Sequence, residues 1–470
     1  MTDPLWQRTG TELVALMASV DVSAREVIEA HLERIDEVNG WLNAAVLVAA
    51  DEARAAADAT DRARAAGETL GPLAGVPFTV KDGLDLAGHP TTYGIPAFAG
   101  NVAPVDDPTI GRLRSAGAIP IAKTNQPEMA MRLATDNPLF GLTRNPWHPD
   151  RTASGSSGGD ASAIASGMTP MGVGSDLGGS VRNPAYACGI AATKTSLGRL
   201  PVHGTSPRAS EALLGRQLMA VAGPMARSVA DLEAMLRVTV GRHPRDPRSV
   251  DVPHDGSSFV RRAAVPTDLP GGPIHPDARE AVDRAGEALA AAGWEVVDAT
   301  PPEMERCYDV WGRLLGEDFP ATLAALEKVM STDGSHLIRA SMAFWPVGEV
   351  TPQEVHVERL RLARAWALFL DEFPVLVLPT WYQPPFNHHD DVVEDLTVVR
   401  ALYDGVFTPI TPANVLGLPA TQIPVGCNAD GVPLGVQFMA DRHREDRTLI
   451  AAAAVEAAHP PITPIDPVRS

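Results

Sequence analysis

Three short apolar runs, each ending in polar or turn-forming residues, constrain the fold of this chain most strongly. They are "LAGVPFTVKD", "AIPIAKTN" and "GMTPMGVGSDLGGSVRNP". Runs of this length between turn residues predict buried strands, and the segment "DPTIGRLRSAG" between the first two has helical spacing. Strands that alternate with helices are typical of a largely parallel sheet covered by helices.

The rest of the chain extends this architecture. Residues 1–68 are predicted to form an N-terminal helical arm, in which Ser23 and Glu26 have the spacing of a capping box. The later segments are a catalytic core (69–236), a variable, mainly helical insertion (237–400) and C-terminal strands and a helix that return to the core (401–470). Because sheet segments occur on both sides of residues 239–350, we predict one large α/β domain. Its sheet is expected to be mixed and mostly parallel, with helices on both faces.

The composition of the chain limits which binding partners and which cellular compartment we expect. The formal net charge of −19 is spread along the chain, which opposes binding to nucleic acid. The start of the chain lacks the basic and apolar segments of a signal peptide, and no apolar run approaches 18 residues, so we expect no membrane association. The three cysteines, Cys188, Cys307 and Cys427, have no metal-binding or redox spacing. We therefore predict a cytoplasmic protein.

The stretch "TASGSSGGDASAIASG" permits three interpretations. Its Gly and Ser content is typical of a flexible linker, but it continues directly into small apolar residues at helical spacing and then a strand. Its Gly155-x-Ser157-x-Gly159 pattern fits the nucleophile elbow of α/β-hydrolases, but that elbow needs a preceding strand, and "TRNPWHPDRTAS" is rich in turn residues. The third interpretation is that the stretch belongs to another kind of active site.

Two further segments favour the third interpretation. Gly178 and Gly179 directly precede Ser180, and paired glycines allow successive backbone N–H groups to converge beside a serine hydroxyl, as an oxyanion hole requires. Lys81 ends an apolar strand, where desolvation lowers the pKa of a lysine and allows it to act as a base. A serine and a lysine can together replace the serine and histidine of other hydrolases.

These residues resemble the amidase signature family. The resemblance rests on Lys81 in "GVPFTVKD", Ser156 in "SGSSGGDASA" and Ser180 in "GSDLGGSVRNPA", in the family's order and spacing. It extends through "AKTNQPE", "NPLFGLTRNPW", "ACGIAATKTSLGR" and "GPMARSVADL", and returns in "NVLGLPATQIPVGCNADGVPLGVQFMA". It covers most of the chain apart from roughly residues 237–400.

The resemblance implies the amidase signature fold and a catalytic mechanism. Ser180 is the implied nucleophile, Ser156 relays its proton after a cis peptide bond from Gly155, and Lys81 is the neutral base. The implied oxyanion hole consists of the backbone N–H groups of Leu177, Gly178, Gly179 and Ser180. Hydrolysis through an acyl-enzyme by this machinery requires no metal and no cofactor.

The substrate is less constrained. Members of the family hydrolyse simple amides, lipid amides, cyclic amides and urethanes, and this chain is most similar in character to bacterial aryl acylamidases and urethanases. The family resemblance places Ala130, Met131, Gly155 and Arg199 at the substrate. Because Ala130 and Met131 are apolar, we expect a small uncharged amide, anilide or carbamate. The loop after Arg199, residues 200–217, is predicted to shape the opening of the site.

Two alternatives remain at this stage. The first is the amidase subunit of a tRNA-dependent amidotransferase, which works with partner subunits. Against it, Asn183 replaces the usual Gln, and Thr195-Ser196 replace the usual Pro-Thr. The second is a binding protein with an inactive site, which the presence of Lys81, Ser156 and Ser180 disfavours. The enzyme is expected to be a monomer or a homodimer.

Other reactive side chains receive structural interpretations. We expect Asp176 and Arg182 to brace the active loop by hydrogen bonds and ion pairing, and Lys123 to support a strand end. Cys188 is predicted to be a small buried residue. The "HHDD" segment, residues 388–391, is predicted to be a solvated loop rather than a metal site.

Overall fold

The computed structural model describes residues 4–203 and 213–469. The described strands are β1 (Ala45–Val48), β2 (Pro77–Lys81), β3 (Ile119–Thr124), β4 (Met171–Asp176), β5 (Ala191–Lys194), β6 (Val221–Ala226), β7 (Arg262–Ala264), β8 (Glu295–Val297), β9 (Val375–Pro379), β10 (Ala420–Cys427) and β11 (Pro433–Met439). The described α-helices are α1 (Gly10–Ala18), α2 (Ala24–Leu42), α3 (Ala50–Ala65), α4 (Pro108–Ser115), α5 (Gly158–Ala165), α6 (Arg182–Cys188), α7 (Leu214–Met219), α8 (Val229–Thr239), α9 (Pro276–Ala291), α10 (Met304–Leu326), α11 (His336–Phe344), α12 (Pro352–Glu372), α13 (Leu396–Leu416) and α14 (Glu445–Ala458). None of these helices combines the length and apolar character that a membrane span requires.

The strands form one mixed sheet of eleven strands, in the order β1-β3-β2-β4-β6-β5-β10-β11-β9-β7-β8. The predicted single α/β domain is confirmed, but the expectation of a mostly parallel sheet is wrong. Only four of the ten neighbouring pairs are parallel, and the other six are antiparallel. The β10–β11 hairpin must be antiparallel because its turn is short, and β6 enters between β4 and β5 antiparallel to both.

Both faces of the sheet are covered by helices, as predicted. Along β9, Val375 and Val377 join an apolar core that also contains residues of α9 and α14. The alternating residues Leu376 and Leu378 join a second core with residues of α10, α12 and α13. Because successive side chains of a strand point to opposite faces, these two cores lie on the two sides of the sheet.

The N-terminal arm is joined to the sheet. Ser23 and Glu26 form the predicted capping box at the start of α2, and the apolar face of this helix is buried. The arm is not purely helical, since β1 pairs antiparallel with β3 at the edge of the sheet. This short strand was not apparent from the sequence because it has only four residues between two helices.

Region 237–400 is largely helical but contributes to the same sheet. It contains α9 to α12, and it also supplies β7, β8 and β9. These strands extend the sheet from β11, with β9 antiparallel to β11 and β7 parallel to both of its neighbours. The region is therefore continuous with the core, which places α10 beside the site described below.

The packing of α2 predicts a contrast between two of its positions. Ile28 is fully buried in the main core, so Ile28→Ala is expected to lower the free energy of unfolding by about 2–5 kcal/mol. Glu33→Ala, on the exposed side of the same helix, is expected to change it by less than about 0.5 kcal/mol. Denaturant unfolding followed by circular dichroism measures both values. Equal losses for the two variants would contradict this packing of α2.

Candidate active site

Lys81 is the last residue of β2, between the parallel neighbours β3 and β4, and it is fully buried. Its Nζ lies 2.6 Å from Ser156 Oγ and 3.1 Å from Ser175 Oγ. Burial lowers the pKa of Lys81, and the carboxylates of Asp160 and Asp176 only partly oppose this effect. The site thus favours the neutral amine, which is the form able to accept a proton.

The glycine- and serine-rich stretch is an ordered loop against this lysine. The peptide bond between Gly155 and Ser156 is cis, as the resemblance implied. A Cβ on Gly155 would lie 2.7 Å from the carbonyl oxygen of Arg132, so the loop packs closely on its neighbour. The Thr135 hydroxyl donates to the Ser154 carbonyl at 2.8 Å. These contacts exclude the linker interpretation.

The same loop excludes the nucleophile elbow. No strand precedes it in the described chain between β3 and β4, and α5 begins two residues after Ser156. Ser157, the central serine of that pattern, is fully buried, and its hydroxyl faces β4, where a Cβ on Gly174 would lie 2.5 Å from Ser157 Oγ. Its N–H donates to the carbonyl of Ser180 at 3.1 Å. This bond holds the loop directly against the predicted nucleophile.

Ser180 lies in the turn between β4 and α6 and is partly exposed. Its Oγ makes no hydrogen bond to any described residue. The N–H groups of Leu177, Gly178 and Ser180 likewise donate to no described acceptor, but the Gly179 N–H donates to Asp176 Oδ1 at 2.8 Å. The structure therefore leaves three of the four expected oxyanion donors free. The Asp176 carboxylate occupies the fourth, which sequence spacing could not reveal.

A buried ion pair braces this turn. Arg182 Nε lies 3.1 Å from Asp176 Oδ2, and both side chains are fully buried. Asn414 Nδ2, from α13, donates to Asp176 Oδ1 at 2.8 Å. Burial, the largest single cause, would raise the pKa of Asp176, but the charge and hydrogen bonds of Arg182, the charge of Lys194 and the Asn414 amide together lower this pKa to about 2. The geometry agrees with the structural interpretation of both residues.

Trp311 of α10 supports the turn from the other side, and no sequence signal pointed to it. Its indole N–H donates to the carbonyl of Leu177 at 3.0 Å. A Cβ on Gly178 would lie 2.6 Å from Trp311 Cζ2, so only glycine fits against the ring. Trp311 packs with Phe407 at a centroid distance of 4.6 Å. The variable region therefore supplies an aromatic wall behind the expected oxyanion hole.

Ala130 and Met131, two of the expected pocket residues, follow β3, and both are partly exposed. Met131 packs against the same apolar core as Leu177. Met129, which the sequence interpretation omitted, packs there too, and Met129 and Ala130 have positive φ angles of 51° and 60°. This segment therefore presents partly exposed apolar side chains, as expected for a pocket wall.

Arg199, another expected pocket residue, has polar contacts with other segments of the chain. Its side chain is fully buried, with Nε 3.4 Å from Glu445 Oε2 of α14, and it donates to the carbonyl of Pro253 at 3.2 Å. These contacts give Arg199 a structural role, and its expected contact with substrate stays a prediction. Half of the loop after it, residues 204–212, lies outside the described residues.

The other reactive side chains have internal partners. Lys123 Nζ donates to the carbonyl of Asp82 at 3.0 Å, in agreement with a structural role. Cys188 is buried, and burial raises the pKa of its thiol. The "HHDD" segment is not merely a solvated loop, because Asp391 is buried and lies 3.0 Å from Arg132 Nε. This ion pair anchors the segment to the residue that follows Met131.

One group of possible metal ligands lies elsewhere in the described chain. Glu233, His254 and Asp255 place one ligand atom each within 4.8 Å of one another. Arg237 forms ion pairs with both Glu233 and Asp255, and His254 Nε2 lies 2.9 Å from Glu233. These contacts account for the group without an ion.

The brace of the turn predicts a large loss of stability when it is broken. Arg182→Leu leaves the Asp176 carboxylate buried and unpaired, so the free energy of unfolding is expected to fall by about 3–5 kcal/mol. Arg361→Leu is the matched control, because exposed Arg361 also forms two ion pairs, with Glu303 and Glu358, and its loss should change stability far less. Denaturant unfolding of both variants measures the difference. A similar loss in both would contradict the role assigned to burial.

Comparisons with known proteins agree with the resemblance seen in the sequence. The Amidase family model matches residues 26–449. The chain is 38% identical to an indoleacetamide hydrolase of Bradyrhizobium diazoefficiens, covering 96% of this chain and 87% of that protein. It is 33% identical to an acylamidase of Rhodococcus erythropolis, covering 96% and 95%. It is also 33% identical to one subunit of the glutamyl-tRNA(Gln) amidotransferase of Acidothermus cellulolyticus, covering 97% and 95%.

Solved structures with a similar fold point to the same family. The chain superposes on a 6-aminohexanoate cyclic dimer hydrolase with a TM-score of 0.83 at 27% identity, covering 97% of this chain and 98% of the other. It superposes on a bacterial aryl acylamidase with a TM-score of 0.80 at 27% identity, covering 97% of both chains. The family model, the relatives and the solved structures all agree with the resemblance seen in the sequence. The chain therefore belongs to the amidase signature family of amide-bond hydrolases.

Proposed function

We propose that this chain cleaves the C–N bond of small uncharged amides, anilides or carbamates (urethanes) through Ser180, Ser156 and Lys81. The observation that carries the proposal is the distance of 2.6 Å between Lys81 Nζ and Ser156 Oγ, two fully buried groups. The hydrogen bond from the Ser157 N–H to the Ser180 carbonyl places this pair beside a serine with a free hydroxyl.

The relay starts at the lysine. Neutral Lys81 accepts the proton of Ser156, and Ser156 accepts the proton of Ser180 as Ser180 Oγ attacks the substrate carbonyl carbon. The negative charge that develops on the carbonyl oxygen is stabilised by the N–H groups of Leu177, Gly178 and Ser180. Because these donors are already oriented, they need no rearrangement when the charge appears.

The second half of the reaction reverses the relay. The proton held by Lys81 returns through Ser156 to the leaving nitrogen, the C–N bond breaks and an acyl-enzyme on Ser180 remains. Water then attacks the acyl carbon, loses its proton to the same relay and releases the acid. With a carbamate, the same site can expel either the amine or the alcohol.

The apolar side chains expected near Ser180 support an uncharged substrate. Met129, Met131 and Leu177 pack against the core that contains Trp311, and none of these side chains carries a charge. Such a surface favours uncharged acyl groups, aromatic ones included. The names of the indoleacetamide hydrolase and acylamidase relatives support small aromatic amides and acyl anilides as the first substrates to test.

A second candidate is the amidase subunit of a tRNA-dependent amidotransferase. Its support is the 33% identity to one subunit of the glutamyl-tRNA(Gln) amidotransferase. In this chain Asn183, where that subunit usually has Gln, donates to the Gly178 carbonyl at 3.2 Å and accepts from Trp381 Nε1 at 2.9 Å. Asn183 is therefore part of the support of the oxyanion turn, so the difference from that relative falls within the site.

Ser180→Ala is expected to abolish turnover of indole-3-acetamide, 4-nitroacetanilide and an N-aryl carbamate, lowering kcat/KM by about 10³-fold or more. Ser157→Ala is the matched control, because its hydroxyl has no described partner, and it should retain activity within about tenfold. Release of ammonia or of 4-nitroaniline measures the rates.

Three results would contradict Ser180 as the nucleophile or the proposed hydrolase activity. Loss of activity in Ser157→Ala but not in Ser180→Ala would favour the nucleophile elbow. Activity in both variants would contradict serine catalysis at this site. No turnover by folded wild-type protein would favour the amidotransferase candidate, which release of ammonia from glutamine in the presence of partner subunits would test.

The buried lysine predicts the pH dependence. Because burial lowers the pKa of Lys81 from its ordinary value, the neutral base becomes more abundant as pH rises through that lowered pKa. We therefore expect kcat/KM to increase with pH and reach a plateau on the alkaline side. The profile is measured with an uncharged amide, which does not itself titrate. A steady fall from about pH 6 to about pH 9 in folded protein would count against a neutral lysine base.

A further inference from the structure

Three consecutive peptide groups between Leu177 and Ser180 carry most of the expected oxyanion donors. A trans peptide group is planar, so its carbonyl and its N–H point in opposite directions. Whatever holds the carbonyl in place therefore aims the N–H at the other end. Each of these three carbonyls has a hydrogen-bond donor in the structure, and one of the three donors comes from a distant helix.

The last two of these peptide groups are held by the turn itself and by α6. The Gly179 carbonyl accepts from the Asn183 N–H at 2.6 Å, and the Ser180 N–H of the same peptide group has no described acceptor. The Gly178 carbonyl accepts from Asn183 Nδ2 at 3.2 Å, while the Gly179 N–H at the other end of that group donates to Asp176. Both groups are thus oriented by residues close to them in the chain.

The first peptide group, between Leu177 and Gly178, depends on α10 instead. Its bond is trans, and its carbonyl accepts from Trp311 Nε1 at 3.0 Å. No other described donor reaches this carbonyl. The Gly178 N–H therefore points away from the indole, and it is one of the donors that the structure leaves free.

The indole is itself held in place. Trp311 is buried and packs against Phe407 at a centroid distance of 4.6 Å. Tyr308 and Trp345 complete the aromatic cluster, with centroids 6.2 and 6.3 Å from that of Trp311. Gly178 lies directly against the ring, where a Cβ would meet Trp311 Cζ2 at 2.6 Å. Because this donor cannot move aside, it keeps the peptide group in one orientation before substrate binds.

We propose that Trp311 is a positioning residue for the oxyanion hole, which holds the Leu177 carbonyl so that the Gly178 N–H is aimed at the developing negative charge. This inference rests on the proposed function, in which that N–H stabilises the oxyanion. Trp311 acts through the peptide group rather than on the substrate. Its effect falls on the chemical step, because a hydrogen bond weakens steeply when its donor points in the wrong direction.

The first test separates substrate binding from stabilisation of the oxyanion. Trp311→Phe keeps an aromatic ring and removes the indole N–H. Outright loss of an oxyanion donor lowers kcat by about 10²- to 10³-fold, so misdirection of one donor is expected to lower kcat by about 10- to 100-fold and to leave KM within about threefold. Both constants are measured with whichever of indole-3-acetamide and 4-nitroacetanilide the wild-type protein hydrolyses faster.

A trifluoromethyl ketone reports on the oxyanion directly. It has the acyl group of that amide, with CF3 in place of the nitrogen. Ser180 Oγ adds to its carbonyl carbon, the Ser180 proton passes to the relay, and the carbonyl oxygen becomes an alkoxide in the oxyanion hole. The inhibition constant is expected to rise in Trp311→Phe by about the factor by which kcat/KM falls. A purely structural role would lower thermal stability or the fraction of active enzyme and leave this constant unchanged in folded protein.

Trp366→Phe is the matched control. Trp366 is another buried tryptophan of the same apolar core, and its indole N–H donates to the carbonyl of Pro302 at 2.7 Å. The variant loses the same kind of hydrogen bond, but to a carbonyl outside the turn, so kcat and the inhibition constant should stay close to the wild-type values. Equal changes in both variants would overturn the specific role of Trp311.

If Trp311→Phe does not fold, Phe407→Leu carries the test. It removes the ring that packs on the indole and leaves the indole N–H present, so the same changes are expected at a smaller size. A rise in KM alone, or an unchanged kcat and inhibition constant, in folded Trp311→Phe overturns the inference, and the same holds for folded Phe407→Leu where it replaces that variant.

Ser180→Ala is measured in parallel to keep the two proposals apart. Full activity in Ser180→Ala would contradict the proposed function itself. An inactive Ser180→Ala together with an unchanged kcat and inhibition constant in Trp311→Phe would contradict only the role of Trp311.

Discussion

An amine buried at the centre of a sheet is unfavourable in its charged form, and the site around Lys81 follows from this constraint. Its nitrogen is satisfied by two hydroxyls, those of Ser156 and Ser175, rather than by a carboxylate in direct contact. A hydroxyl accepts a hydrogen bond from the charged form of the lysine and can donate one to the neutral amine. The contact therefore survives proton transfer, which a direct ion pair would resist.

Holding two hydroxyls at one buried nitrogen requires support from several parts of the chain. Ser175 comes from β4, the parallel neighbour of the strand that carries Lys81, and Ser156 comes from a loop that packs on the backbone of residues 132–133. The nucleophile turn is held by an ion pair, by Asn414 of α13 and by Trp311 of α10. The region of the chain with the least family resemblance thus contributes directly to the geometry of the site.

Much of this arrangement could be predicted from local sequence. Strand ends, the two glycines before Ser180 and the capping box at Ser23 are short-range patterns, and the structure has each of them where expected. Contacts between distant segments could not be predicted. Arg199 pairs with Glu445 of the last helix, and Asp391 pairs with Arg132. The hydrogen bond from the Gly179 N–H to Asp176, three residues earlier, depends on the exact backbone geometry of the turn.

The sequence by itself determined the alternation of strands and helices, because this depends on residue type and short spacing. The three residues that carry the proposed chemistry were indicated by the resemblance of their motifs to the amidase signature family. The tertiary structure alone decided the direction in which each strand enters the sheet, which backbone N–H groups remain free, and which buried charges neutralise one another. These properties depend on distances between atoms far apart in the chain. Burial then magnifies their electrostatic effect, since little water remains to screen it.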